Sequence, residues 1–131
     1  MIKKTIKYKD FNGNELTEEF YFHMNKAEAT MFVAEANGDL EAYISEIIQK
    51  NDMKALVELM QKIILKSYGI KAADGKRFIK SEQLTKDFEQ SIPYAELFEE
   101  LMTDPEQTKI FAQGIISGNM TSKSLKVNEE A

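Results

Sequence analysis

Ser67-Tyr68-Gly69-Ile70-Lys71-Ala72-Ala73-Asp74-Gly75-Lys76-Arg77-Phe78-Ile79-Lys80-Ser81 is the stretch on which the reading of the fold turns. A helix stops at the glycine, an Asp74-Gly75 turn follows, and Ser81 opens another helix. Residues 70–80 read as a short second hairpin or a loop. Beyond them, Phe88, Tyr94, Leu97 and Leu101 stud an acidic helical pair. No catalytic constellation sits in this stretch, which points to a scaffold that meets other proteins.

Upstream, Met53, Leu56, Val57, Met60, Ile63 and Ile64 form the cleanest helical stripe in the chain, capped by Asn51 or Asp52. This predicts a central core helix ending near Tyr68-Gly69. Before it, Asp39 caps a helix carrying Leu40, Tyr43, Ile44, Ile47 and Ile48. Asn25, with Glu28 three residues on, writes a capping box for a first helix. That helix has a weak stripe of Met24, Ala27, Met31, Val33 and Ala34, and Asn37-Gly38 stops it.

Downstream, Leu84 and Phe88 share one face, and Pro93 breaks or restarts the helix. Tyr94, Leu97, Phe98, Leu101 and Met102 follow at helical spacing. Asp104-Pro105 with Gln107 announces a last helix bearing Ile110, Phe111, Ile115 and Ile116 and ending near Gly118.

The period changes to two over residues 2–22. Ile2, Lys4, Ile6 and Tyr8 share one face, as do Leu16, Glu18, Phe20 and Phe22. A two-residue Asn12-Gly13 loop would set Ile6 opposite Glu19 and mix the faces. A three-residue loop, Phe11-Asn12-Gly13, pairs Tyr8 with Leu16 and Ile2 with Phe22, with Gly13 in the left-handed position. A five-residue loop keeps the faces too, so an odd length is expected.

The expected fold is therefore α+β and mainly helical, with an N-terminal β-hairpin packed on a compact bundle of five to six helices. Its 131 residues favour one domain over 1–118, divided into a hairpin (1–23) and a bundle (24–118). Residues 119–131 lack apolar periodicity and read as a flexible tail.

Composition narrows the function classes. The formal net charge of -5 disfavours non-specific binding to nucleic acid or anionic lipid. Cysteine is absent, which removes disulfides, thiolate metal sites and a cysteine nucleophile and fits a cytosolic protein. No apolar run follows Lys3-Lys4 as a signal peptide requires, and Ile63-Ile64-Leu65 is far too short to span a bilayer. The single histidine, His23, has no nucleophile or metal partner in the pattern. Glu18-Glu19 and Glu99-Glu100 are adjacent pairs that diverge, so no acid–base pair converges on a pocket. Asp10, Asn12 and Asn14 mimic the start of a calcium loop, but Glu15 and Tyr21 stand where glycine and glutamate are needed. No catalytic residue, metal ligand or cofactor is assigned.

Charge is uneven. Lys62, Lys66, Lys71, Lys76, Arg77 and Lys80 face only Asp74 in their segment. Glu82, Asp87, Glu89, Glu96, Glu99, Glu100, Asp104 and Glu106 face only Lys86 in theirs. Two solvated faces that partly neutralise each other within one molecule account for this, as does a basic face meeting the acidic face of the next copy. The seven methionines read first as core filling, with an adaptable binding groove as the alternative. Among Phe88, Tyr94, Phe98 and Phe111, most are expected in the core, and an exposed pair would suit a helix-in-groove contact.

The order of hairpin, helices, Tyr68-Gly69, Asp74-Gly75-Lys76-Arg77-Phe78, Lys80-Ser81, Phe88, Tyr94 and the Leu97/Leu101 helix resembles tail assembly chaperones of long-tailed bacteriophages, over roughly residues 1–118. The resemblance implies a non-enzymatic protein in the bacterial cytoplasm. It would bind the tape measure protein in several copies, keep it soluble, help recruit tail tube subunits, and be absent from the finished virion. It also implies that a frameshifted longer form exists in many such phages. A small tail or connector component retained in the virion is the alternative, and a nucleic-acid-binding regulator is disfavoured by the acidic balance. Tyr94, Phe98, Ile110, Phe111, Ile115 and Ile116, on the last two helices, are the candidate protein-binding residues, for a partner groove or for self-association.

Overall fold

The computed structural model describes residues 1–36 and 38–117. The sequence-based reading of 119–131 as a flexible tail, and the roles of Asn37 and Gly118 as helix stops, lie outside the described residues.

Strands β1 (Ile2–Lys9) and β2 (Glu15–Phe22) form the expected hairpin in the expected register, with Tyr8 opposite Leu16 and Ile2 opposite Phe22. The loop is the three-residue form. Asp10 N donates to Asn14 O at 2.9 Å and Gly13 N donates to Asp10 O at 3.0 Å. Gly13 sits at φ 85°, a conformation that costs a side-chain-bearing residue but not glycine. Asp10 Oδ1 also accepts from the backbone N–H groups of Asn12 and Asn14, so a carboxylate braces the turn.

Helices α1 (Lys26–Glu35), α2 (Leu40–Gln49), α3 (Met53–Ser67), α4 (Glu82–Glu89), α5 (Ile92–Thr103) and α6 (Pro105–Ser117) follow. Each cap read from the sequence is made. Asn25 and Glu28 exchange bonds of 2.8 and 3.0 Å, and Asp39 and Asp52 accept from Ala42 N and Ala55 N. Ser81 accepts from Leu84 N, and Asp104 Oδ1 accepts from Glu106 N. Ser91 caps α5, placing Pro93 in its first turn, where a missing N–H is harmless. Between α2 and α3, Asn51 takes φ 55°, and Asp52 N donates to Ile47 O and Asn51 N to Ile48 O. That pair of bonds closes the end of α2.

Three expectations are corrected. First, the helix ends near Tyr68-Gly69 and a short hairpin follows, both as expected, but Gly69 is not the helix stop. α3 ends at Ser67, and Tyr68 begins a strand, β3 (Tyr68–Lys71), which pairs with β4 (Phe78–Ile79). β3 also pairs with β2, Phe22 opposite Tyr68, so the N-terminal hairpin grows into an antiparallel sheet of order β1-β2-β3-β4. A Cβ on Gly69 would lie 2.5 Å from a Phe78 ring carbon and 2.7 Å from the Ile79 carbonyl oxygen, so close approach is what requires glycine here.

Second, Met24 and Val33 of the expected stripe are buried, but α1 buries Ala29 and Phe32 with Val33, and Ala36 at its C-cap, while Ala27, Met31 and Ala34 are exposed. Both sets are spaced i, i+3 or i+4, and i+7, so the helix is apolar on two sides and periodicity cannot choose between them. Third, Met53 is exposed and Val57 only half-buried. Leu59 joins Leu56, Met60, Ile63 and Ile64 in the core instead.

The core gathers these residues with Ile6, Phe22, Met24, Ile44, Phe88, Leu97, Leu101, Phe111 and Ile115. The sheet presents Ile2, Ile6, Phe20, Phe22 and Tyr68 to it, with α5 lying along β1. The opposite face carries Lys3, Thr5, Lys7 and Lys9, and Lys3 pairs with Glu19 at 3.6 Å. Among the described residues, no helix is long and apolar enough to cross a membrane.

Candidate functional site: an aromatic groove with an acidic rim

The inner face of the sheet is longer than the helical layer that covers it. Near β1's N-terminal end it is sealed, with Phe22 fully buried and Ile6 nearly so. Towards the Phe11-Asn12-Gly13 turn the same face opens. Tyr8 and Phe20 are half-buried, Leu16 is 38% exposed and Phe11 at the tip is 87% exposed. Register puts Ile70 and Ile79 on this face as well, and both are exposed.

Where the open part meets the α4–α5 corner, a groove of about 330 Å³ is lined by Tyr8, Phe11, Phe20, Tyr68, Phe88 and Pro93, with Asp10, Glu18 and Asp87 at its margin. Ring contacts fix its floor. Tyr68 stacks on Phe88 with centroids 4.1 Å apart and planes 6° from parallel, and Phe20 meets Phe88 at 5.5 Å. Glu18 accepts from the Tyr8 hydroxyl, and Asp87 accepts from Gln83 Nε2 at 2.7 Å. Burial, then the fields of Glu18 and Asp87, push the Tyr68 phenol above its ordinary pKa, which keeps it protonated and a donor.

The six sequence-named residues separate. Tyr94 and Phe98 are half-buried neighbours, with ring centroids 5.9 Å apart, and Tyr94 meets Phe88 edge-on at 5.7 Å. They continue the aromatic floor along α5. Phe111, Ile115 and Ile116 are buried, and Phe111 packs edge-on against Phe22 at 5.2 Å. Ile110 points outward, 57% exposed, beside Lys109, whose ammonium reaches Ser45 and Glu41 of α2. Tyr8, Phe11, Phe20 and Tyr68 were not among the six. For Tyr8 and Phe20 the signal was the strand alternation itself, which marks an apolar face but not how much of it the helices cover; Phe11 read as a turn residue and Tyr68 as a helix end, so neither carried a signal for this site.

The basic segment does not neutralise the acidic one. Lys62 and Lys66 pair with Glu35, and Lys80 with Glu28, both on α1. Among the described residues, no salt bridge joins the cations of 62–80 to the carboxylates of 82–106, and Glu100 pairs instead with Lys4 of β1 at 2.6 Å. A second, larger cleft of about 450 Å³ lies between β1 and α5, with a mixed lining in which Thr5, Lys7, Glu96, Glu99, Glu100 and Thr103 surround Ile6 and Leu97 and no aromatic side chain takes part. Among the described residues, no group of three or more histidines and carboxylates is placed to hold a metal ion.

The fold and the groove define a small α+β scaffold with an open apolar surface, and comparison with known families gives its class. The sequence model of the family described as phage tail assembly chaperone matches residues 1–131, the whole chain, and the protein belongs to that family. No curated protein and no solved structure matches the chain significantly.

Proposed function

We infer that this protein binds the phage tape measure protein and keeps it soluble until tail tube subunits assemble around it. The observation that carries the reading is membership of the tail assembly chaperone family over the full chain. The groove supports it, because a long helical partner with repeated apolar faces aggregates unless those faces are covered. Modest affinity per copy permits later displacement, and several copies along one partner supply avidity. On this reading the chaperone acts in the host cytoplasm without catalysis, helps recruit the tail tube protein, and is left out of the finished virion. Tyr94, Phe98 and Ile110 offer accessible apolar surface to a partner or a second copy. Phe111, Ile115 and Ile116 shape that surface from beneath.

Co-expression with the tape measure protein tests the reading. The expected result is a larger soluble fraction of the partner, eluting with several copies of this chain. No solubilisation by this chain, alone or with any frameshifted longer form, together with its presence in purified particles, would replace the reading by that of a retained tail component.

A further inference from the structure

The geometry points to the open end of the sheet's inner face as the docking site for one amphipathic helix of the partner, an apolar stripe flanked by lysine or arginine. This rests on the chaperone reading above and adds the surface and the chemistry it selects.

Two observations carry it. The first is continuity of layers. α5 already covers this face along β1, and the overhang beyond it exposes Leu16, Ile70, Ile79 and Phe11. A helix laid there extends the existing helix-on-sheet packing, with an apolar side chain entering the groove over Phe20, Tyr68 and Phe88.

The second is charge. Asp10, Glu18 and Asp87 border the groove, and among the described residues none forms a salt bridge with lysine or arginine. An acidic border around an apolar floor selects a cationic guest and repels an acidic one. It also disfavours symmetric exchange of Phe11 tips between two copies, which would bring the two acidic borders together.

The test uses two synthetic amphipathic peptides of about 20 residues with the same apolar stripe, one flanked by lysines and one by glutamates. The full chain is expected to bind the lysine-flanked peptide at least about tenfold more tightly at low salt. The double variant Glu18→Lys/Asp87→Lys, both exposed positions, is expected to invert that order while its thermal transition stays in place. Phe11→Ser is expected to weaken binding of either peptide. Binding indifferent to flanking charge, or unchanged in these variants, overturns the proposal. So does self-association that the same variants abolish and the peptides do not compete with, which would make a second copy the occupant. Co-expression separates the two levels. If wild type and the double variant solubilise the tape measure protein equally, the groove proposal fails and the chaperone reading stands. If wild type itself does not, the chaperone reading fails independently of the peptide result.

Discussion

Lys80 Nζ lies 2.8 Å from Glu28 Oε2 and 2.7 Å from the carbonyl oxygen of Lys66. One side chain thus ties the first turn of α1 to the last turn of α3, and Glu28 serves two partners, because its other oxygen accepts from Asn25 N. The cation also sits over the Phe78 ring, 5.9 Å from its centroid. Lys80→Met keeps the aliphatic stem but leaves the α3 carbonyl and Glu28 without this donor. It is expected to destabilise by about 1 kcal/mol, discounted for partial exposure, in urea unfolding.

Acid is expected to loosen the same junction in two stages. Burial, then the N-terminal ammonium and Lys80, hold His23 below its ordinary pKa of 6.5, with Glu28 opposing. A histidine depressed in the folded state gives the unfolded chain the greater proton uptake, so stability falls as pH drops through 6.5. For Glu28, burial raises the pKa, but the bonds from Lys80 and Asn25 outweigh it and leave the carboxyl below 4.5. Its contribution is complete above that value and is lost as pH falls through the folded-state pKa. Thermal unfolding between pH 7 and 3 should therefore show an early loss that His23→Gln removes and a later one that Glu28→Gln removes.

The junction also shows what the chain makes legible. Caps at Asn25, Asp39, Asp52, Ser81 and Asp104 are local: one side chain meets an N–H two or three residues on, and spacing alone reveals them. The hairpin register follows from one constraint, that a slip would turn Phe22 outward. Pairing of β2 with β3 is different. It joins Phe22 to Tyr68 across three helices, α1 to α3, and no local signal marks it. Tyr68-Gly69 after a helical stripe reads as a stop, because glycine ends helices more often than it makes room for a ring. The groove inherits that blindness: Tyr94 and Phe98 lie on a visible helical stripe, whereas Tyr68 comes beside Phe20 and Phe88 only once β3 has joined β2.

Gly69→Ala tests the close approach directly. The added methyl meets both the Phe78 ring and a backbone oxygen, and only the ring can move aside. A loss of about 2 kcal/mol is expected. The double variant Gly69→Ala/Phe78→Ala should recover only part of what the two single losses sum to, because the Ile79 carbonyl remains. Full additivity would mean that the ring and the methyl do not collide.

Phe88 and Phe11 divide the groove into floor and flap. Phe88 is 3% exposed and touches Phe20, Phe22, Tyr68 and Tyr94. Phe88→Ala should cost about 3–5 kcal/mol and make any binding defect uninterpretable. Phe11→Ser should leave the unfolding midpoint within about 0.5 kcal/mol of wild type, which makes it the variant for reading partner binding.

On α6 the neighbours Ile110 and Phe111 must not be interchanged when the last helix is probed. Phe111 is 5% exposed and packs on Phe22, so Phe111→Ser opens the core and is expected to cost more than about 3 kcal/mol. Reduced solubility of the tape measure protein with that variant would report only a missing chaperone. Ile110 exposes more than half its surface, and Ile110→Ser should unfold within about 0.5 kcal/mol of wild type. If co-expression with this folded variant solubilises less tape measure protein, α6 contributes to the contact. If solubility is unchanged, the α6 surface is not the contact, and the sheet overhang becomes the place to look.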